Sequence, residues 1–163
     1  MSCRSQERWI GVRPGRREAL TGLQEVMAEA DRGLAGDHYS KRGGKRQVTL
    51  IQSEHLQALG SLIGSPQIEP GIVRRNIVVS GINLLALKGK QFRIGEAVLA
   101  FTGLCHPCSL METVLGPGGY NAMRGHGGIT AAVVSSGVIR VEDLVAALPD
   151  QELILSETAH ADY

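Results

Sequence analysis

Cys105-His106-Pro107-Cys108 lies between the apolar run 97–101 and the helix-like segment 109–115. A cysteine just before a helix faces unpaired backbone N–H groups and the positive end of the helix dipole, and both favour thiolate over thiol. A thiolate attacks electrophiles, carries sulfur or ligates a soft metal. Cys108 is therefore the candidate reactive residue, and Pro107 fixes the backbone directly before it. Other readings of the pair are weaker or blander. A zinc knuckle needs four ligands, but there is no second Cys-x-x-Cys, and Cys3 and the scattered histidines are poor substitutes. A thioredoxin-type dithiol needs a βαβ scaffold that the flanking strands do not suggest. Two inert, packed thiols remain an open alternative, because free cysteine is often buried. In the reactive reading Cys105 is a small packing residue.

Three further groups have the residue types of a ligand site. Arg74-Arg75-Asn76 enters a strand after a Pro-Gly loop, and a guanidinium beside an amide can grip a phosphate or a planar heterocycle. Neighbouring strand residues point to opposite faces, so at most one arginine faces a pocket easily, and an ordinary solvated pair is the alternative. Gly118-Gly119-Tyr120-Asn121 and Arg124-Gly125-His126-Gly127-Gly128 could form an anion-binding nest of backbone amides, with Arg124 adding charge. A plain glycine turn competes with that reading. Asp37-His38, in an early glycine loop, could orient a ligand or move a proton. The basic run Lys41 to Arg46 has no interleaved aromatics beyond Tyr39, which argues against nucleic-acid binding.

The elements that must position these groups are short. Hydrophobic residues make up 43% and charged residues 20% of 163 residues, so the chain suits one folded domain with a proper core. Its 21 glycines point to many turns and close backbone approaches. A net charge of +1 excludes a general polyanion-binding surface while leaving room for a local basic pocket. Three cysteines, a polar N-terminus and no apolar run of membrane-spanning length imply a cytoplasmic protein without a disulfide framework. Strands are expected at 9–13, 47–51, 76–79, 91–94, 97–102, 129–134 and 144–148. A helix is expected from a Ser53 cap to Leu59, with Gly60 stopping it. Leu20, Leu23, Met27 and Ala30 follow a helical spacing. Closely spaced strands with glycine turns favour an antiparallel or mixed barrel over a parallel α/β sheet. Val48/Leu50, Ile77/Val79, Val98/Ala100 and Ala131/Val133 should face its core. The core is expected over about 9–148, with loose termini.

In this order, the segments 33–38, 74–77, 81–84, 92–95, 105–108 and 124–128 resemble the MOSC family, the domain at the C-terminus of molybdenum cofactor sulfurases that also occurs free-standing in bacteria. The resemblance implies a mainly β, MOSC-type barrel with a few short α-helices, and it favours strand over helix for 18–30. It implies molybdenum cofactor as ligand and an essential cysteine that carries sulfur or ligates molybdenum. By its place in the Pro-Cys dipeptide that cysteine maps to Cys108, a reasonable soft ligand. Asp37, His38, Arg74, Arg75, Asn76, Asn121, Arg124 and His126 are the expected cofactor-binding residues. The chain lacks the pyridoxal-phosphate desulfurase of the larger sulfurases, so no pyridoxal phosphate is expected. A separate cysteine desulfurase or redox donor is the implied partner, with no nucleic acid and no membrane. A molybdenum-dependent reductase of N-hydroxylated compounds and a non-enzymatic ligand-binding or interaction module are the alternatives.

Overall fold

The computed structural model describes residues 6–149. The expectations for Cys3 and for the C-terminal residues 157–163 lie outside the described residues. Eleven strands are described: β1 Gln6–Val12, β2 Thr21–Leu23, β3 Glu25–Glu29, β4 Gly33–Leu34, β5 Val48–Gln52, β6 Ile77–Ser80, β7 Gln91–Ile94, β8 Ala97–Leu104, β9 Ile129–Ser135, β10 Gly137–Arg140 and β11 Val145–Ala147. The helices are α1 Ser53–Ile63, α2 Leu110–Leu115 and α3 Gly119–Met123, with 3₁₀ turns at Pro70–Val73 and Leu84–Leu87. The fold is mainly β with a few short helices, as expected.

Eight strands form one mixed sheet in the order β11-β7-β8-β9-β5-β6-β1-β2, and β10-β3-β4 form a second. The ladder of the large sheet ends at β11 and β2 and is not closed strand to strand. Single bonds join the two sheets: Asp31 N–H donates to the Val133 carbonyl at 2.8 Å and Glu96 N–H to that of Val138 at 3.2 Å. Both sheets bury side chains in one cluster, with Val26, Ala28, Leu34 and Ile139 of the small sheet packed among Ile10, Leu50, Ile77, Phe92, Leu99 and Ile129 of the large one. The two sheets thus wrap one core in barrel fashion.

Among the described strands only β5 and β6 pair in parallel. A parallel pair needs a crossover of a dozen or more residues, and residues 53–76 supply it with α1. Leu56, Leu59 and Ile63 lie on one face of α1, and with Ile51, Val73, Val78, Met111 and Met123 they make a second apolar cluster. α2 and α3 have six and five residues, too short to persist alone. Burial of Met111 and Met123 there contributes about 2 kcal/mol each, and it fixes the segment that follows Cys108.

Several local expectations are corrected. Residues 21–23 and 25–29 are strands, as the resemblance implied and the helical spacing did not. The helix does not stop at Gly60 and is not capped by the Ser53 side chain. It runs to Ile63 and ends at Gly64, which is left-handed at φ 74°. Gly60 is needed for another reason, since a Cβ there would press on the Ser65 carbonyl oxygen where the chain folds back. Gly119-Tyr120-Asn121 begin α3 and are not a turn. Along β8 the main cluster takes Ala97, Leu99 and Phe101 in place of Val98/Ala100, although Val98 is also fully buried, next to a register shift at Leu99. This run is apolar at both parities, so alternation alone does not choose a face.

Among the buried polar side chains, Asn76 lies fully buried between β1 and β5. Its Oδ1 accepts from Thr49 N–H at 3.0 Å, from Thr49 Oγ1 at 3.1 Å and from Arg13 Nη2 at 3.4 Å. Its Nδ2 donates to the Gly11 carbonyl at 3.0 Å and to Asp37 Oδ1 at 3.3 Å. Asn76→Ala leaves these groups unpaired in the interior. It should lower stability by about 3 kcal/mol, read as a reduced urea midpoint with an unchanged slope.

Candidate functional site

β8 delivers the cysteine segment. Its last ladder residue is Leu104, and Cys105 N–H extends the pairing to the Gly128 carbonyl at 2.9 Å. From Cys105 to Cys108 the chain takes no turn or bend. Cys105 is buried at 2% exposure and Cys108 is exposed; both are free thiols. A three-residue step spans at most about 10 Å when fully extended, and the absence of a turn or bend keeps this one open, whereas a disulfide needs Cα atoms within about 7 Å. The pair is one inner and one outer free thiol. The Cys108 carbonyl accepts from Met111 N–H at 3.0 Å, which starts α2.

Arg75 organises the inner side. It is 2% exposed, and its guanidinium donates to three carbonyls: Gly127 at 2.7 Å, Val73 at 2.8 Å and Cys105 at 3.4 Å. Arg46 Nη2 lies 3.6 Å from Cys105 Sγ. Burial pushes the Arg75 pKa down from its ordinary value. The thiols of Cys105 and, more weakly, Cys108 pull it back up, while Arg46 and Arg13 oppose them. Arginine stays charged regardless, so one buried cation lies within electrostatic range of both sulfurs. Gly127 and Gly128 permit the closeness. A Cβ on Gly127 would collide with the Cys105 carbonyl, and one on Gly128, at φ 85°, with the Leu50 carbonyl.

Two recesses flank the residues before Cys108. A small apolar pocket of about 130 Å³ is lined by Leu85, Leu104, Cys105, Pro107 and the glycines 125, 127 and 128. A more open cleft of about 540 Å³ is lined by His106, Pro107, Tyr120, Arg124 and Gly125. Cys108 follows Pro107, which borders both and also a third recess of about 480 Å³ lined by Ser109, Glu112, Tyr120 and Asn121.

The expected binding residues fall into two sets. Arg124, exposed on the cleft, and Asn121, exposed on α3 beside it, are free to meet a ligand. Arg75, Asn76 and Asp37 are buried and bonded within the protein. The Arg75 guanidinium is turned to carbonyls. Asp37 Oδ1 accepts from Arg13 N–H at 2.8 Å and pairs with Arg13 Nε at 3.4 Å, while its buried Oδ2 has no partner. Arg74 sits in a left-handed conformation at φ 62° and donates to the Glu18 carbonyl, away from the cysteines. His38 is exposed and packs edge-on to Tyr39, over which the Arg13 guanidinium lies at 4.3 Å. His126 Nδ1 lies 3.0 Å from the Ala122 carbonyl, and its ring meets His55 of α1 edge-on at 5.2 Å. The amides of Gly118 and Tyr120 form no empty nest, because the Glu112 carboxylate already accepts from both at 3.0–3.2 Å.

Sequence reasoning missed Arg46, Glu112, Arg13 and His55. Arg46 belongs to a run that reads as solvated charge, and nothing in its spacing marks one member as turned inward. Glu112 at the third helical position, six residues before Gly118, carries a readable capping signal only once α3 is recognised.

Fold and site together define a β-rich domain that presents one exposed thiol at the end of a strand and buries a second behind it. The chain belongs to the MOSC domain family, whose model matches residues 32–146; the family is associated with molybdenum cofactor binding. Among solved structures it is similar to the YuaD protein from Bacillus subtilis, with 18% identity, a TM-score of 0.76, and 88% of this chain and 95% of that chain covered. It is also similar to YiiM from Geobacillus stearothermophilus, with 20% identity, a TM-score of 0.73 and 93% and 79% covered. YiiM from Escherichia coli matches with 17% identity, a TM-score of 0.66 and 88% and 70% covered. At these identities the likeness is one of fold. No curated protein matches the sequence.

Two expected outcomes follow from this geometry. A small alkylating reagent should modify Cys108 quickly and Cys105 slowly in the native protein, and oxidation with a mild disulfide reagent should yield no 105–108 bridge by peptide mass spectrometry. The second concerns His55, whose pKa is held below its ordinary value by burial first, then by His126, with Glu54 opposing. A lowered folded pKa means that the unfolded chain binds more protons in acid. Stability should therefore be fully present above the ordinary imidazole value of about 6.5 and fall as pH drops below it. His55→Gln should flatten that part of a thermal-melting profile against pH.

Proposed function

We propose that the protein handles molybdenum cofactor through Cys108, either ligating the metal or relaying sulfur to it. The observation that carries this reading is the division of labour between the thiols. Cys105 is locked into the strand end beneath Arg75 and Arg46, whereas Cys108 is held outward on an extended step between two recesses.

The donor set suits such a group. Among the described residues no cluster of three His, Cys, Asp or Glu side chains stands ready to hold a bare metal ion. A single soft sulfur fits a metal whose remaining ligands come with its cofactor. Cys108 would supply that sulfur, and Arg124 on the cleft would meet the cofactor's phosphate. Bound there, the cofactor would supply the redox chemistry of molybdenum. As a relay, the Cys108 thiolate would attack the outer sulfur of a desulfurase persulfide, releasing the donor's thiolate. It would give that sulfur up either to an acceptor thiolate or, with two electrons from a separate redox donor, as sulfide, returning to the thiolate. The extended step keeps Cys105 from attacking that persulfide, so the sulfur survives until an acceptor arrives.

Protein purified from a host that makes the cofactor should carry molybdenum and pterin, or one added sulfur by intact mass. Cys108→Ser should abolish this and Cys105→Ser should not. Arg124→Ala, which removes an exposed charge, should weaken cofactor retention by about tenfold. Molybdenum together with turnover of an N-hydroxylated compound by an added electron donor would mark the reductase. Wild-type protein with neither metal nor persulfide would leave an interaction module with structural cysteines.

A further inference from the structure

Apart from Arg46, the basic loop 41–46 has no part in the reading above. Lys41, Arg42, Lys45 and Arg46 are all exposed, four cations in a chain whose formal net charge is +1. The loop is fastened from beneath. Asp31 Oδ1 accepts from Gly43 N–H at 3.1 Å and from Gln47 Nε2 at 3.4 Å, and Gln47 Nε2 also donates to the Lys41 carbonyl at 3.3 Å. Thr102 Oγ1 donates to the Lys45 carbonyl, three residues before Cys105, and Arg46 reaches Cys105 Sγ. These bonds fix the loop beside the end of β8 that carries the cysteines. The carboxylates of Asp31, under the loop, and Glu112, at α3, are turned to backbone amides.

Apolar surface adjoins this positive rim. Leu104 is 53% exposed, Leu85 44% and Tyr120 38%. Leu85 and Leu104 border the small pocket, Tyr120 borders the cleft, and His106 and Pro107 are common to both, so the patch is continuous. Exposed apolar side chains beside a cationic loop are the anatomy of a protein contact more than of a small-anion pocket. We propose that this face docks an acidic protein, the partner that brings sulfur or electrons to Cys108. Lys41, Arg42 and Lys45 meet its carboxylates, and Leu85, Leu104 and Tyr120 meet its apolar centre. Opposite charge would also speed and orient the encounter. The inference rests on Cys108 being the reactive residue.

The test uses a fluorescein-labelled random copolymer of glutamate and tyrosine, with polyglutamate and inorganic phosphate as controls. Binding is read by anisotropy, and shielding of Cys108 by its rate of alkylation with iodoacetamide, a neutral reagent. The copolymer should bind at low salt, slow alkylation, and be released as ionic strength rises. The triple variant K41Q/R42Q/K45Q should bind roughly tenfold more weakly, with alkylation in the absence of polymer unchanged. Leu104→Ser should weaken binding of the copolymer and leave that of polyglutamate as it was. Equal shielding by phosphate at matched charge would mean a small-anion site and overturn the proposal, as would undiminished binding by the triple variant. Concentration-dependent self-association that hides the face, seen by light scattering, would give it to a second copy of this chain and likewise overturn it. Intact salt-sensitive binding with an inert Cys108 would sink the functional reading alone. A readily alkylated Cys108 with no binding would sink the docking face alone.

Discussion

A buried guanidinium with three carbonyl partners governs the site. Arg75 cannot shed its charge, and removing a buried charge's partners costs about 3–5 kcal/mol. Its acceptors therefore have to stay where they are. They come from three separate segments: Val73 in the 3₁₀ turn before β6, Cys105 at the end of β8, and Gly127 before β9. One side chain thereby brings three loops to one place, and the glycine at 127 is the residue that lets the last of them come close enough.

The residue beside it does the complementary task. Asn76 ties β1, β5 and the Asp37 loop together, while Arg75 ties the loops that bear the thiols. Consecutive residues at the entrance of one strand thus serve opposite sides of the sheet. The functional loop inherits its position from the barrel through this pair, and the short helices α2 and α3 need only cover what the pair has placed. Met111, Met123 and the Glu112 carboxylate are sufficient for that.

Much of this organisation was legible in the residues, and the failures have physical causes. Most strands read correctly because their apolar runs are bounded by glycine. β10 did not, since Gly137–Arg140 is short and pairs only with β3 at long range. The 21–29 segment followed a helical spacing that tertiary pairing overrode. Exposure of Cys108 and burial of Cys105 agreed with the reading of the Pro-Cys dipeptide. The charged and polar candidates fared differently. Residue type says that Arg75, Asn76 and Asp37 can bind a ligand, and the same donors and acceptors equally satisfy buried backbone. Only the packing decides between the two uses, and it put these three inside.

The straight run between the cysteines has a consequence for life in the presence of oxidants. A thiol that meets peroxide becomes a sulfenic acid, which is rescued if a neighbouring thiol condenses with it and is otherwise exposed to sulfinic and sulfonic acid formation, where repair largely ends. Cys105 lies too far back along an extended chain to perform that rescue for Cys108. The outer sulfur must depend on soluble thiols, or on being covered, to stay off the irreversible rungs. A chain that keeps its two sulfurs apart leaves the outer one without a guardian of its own.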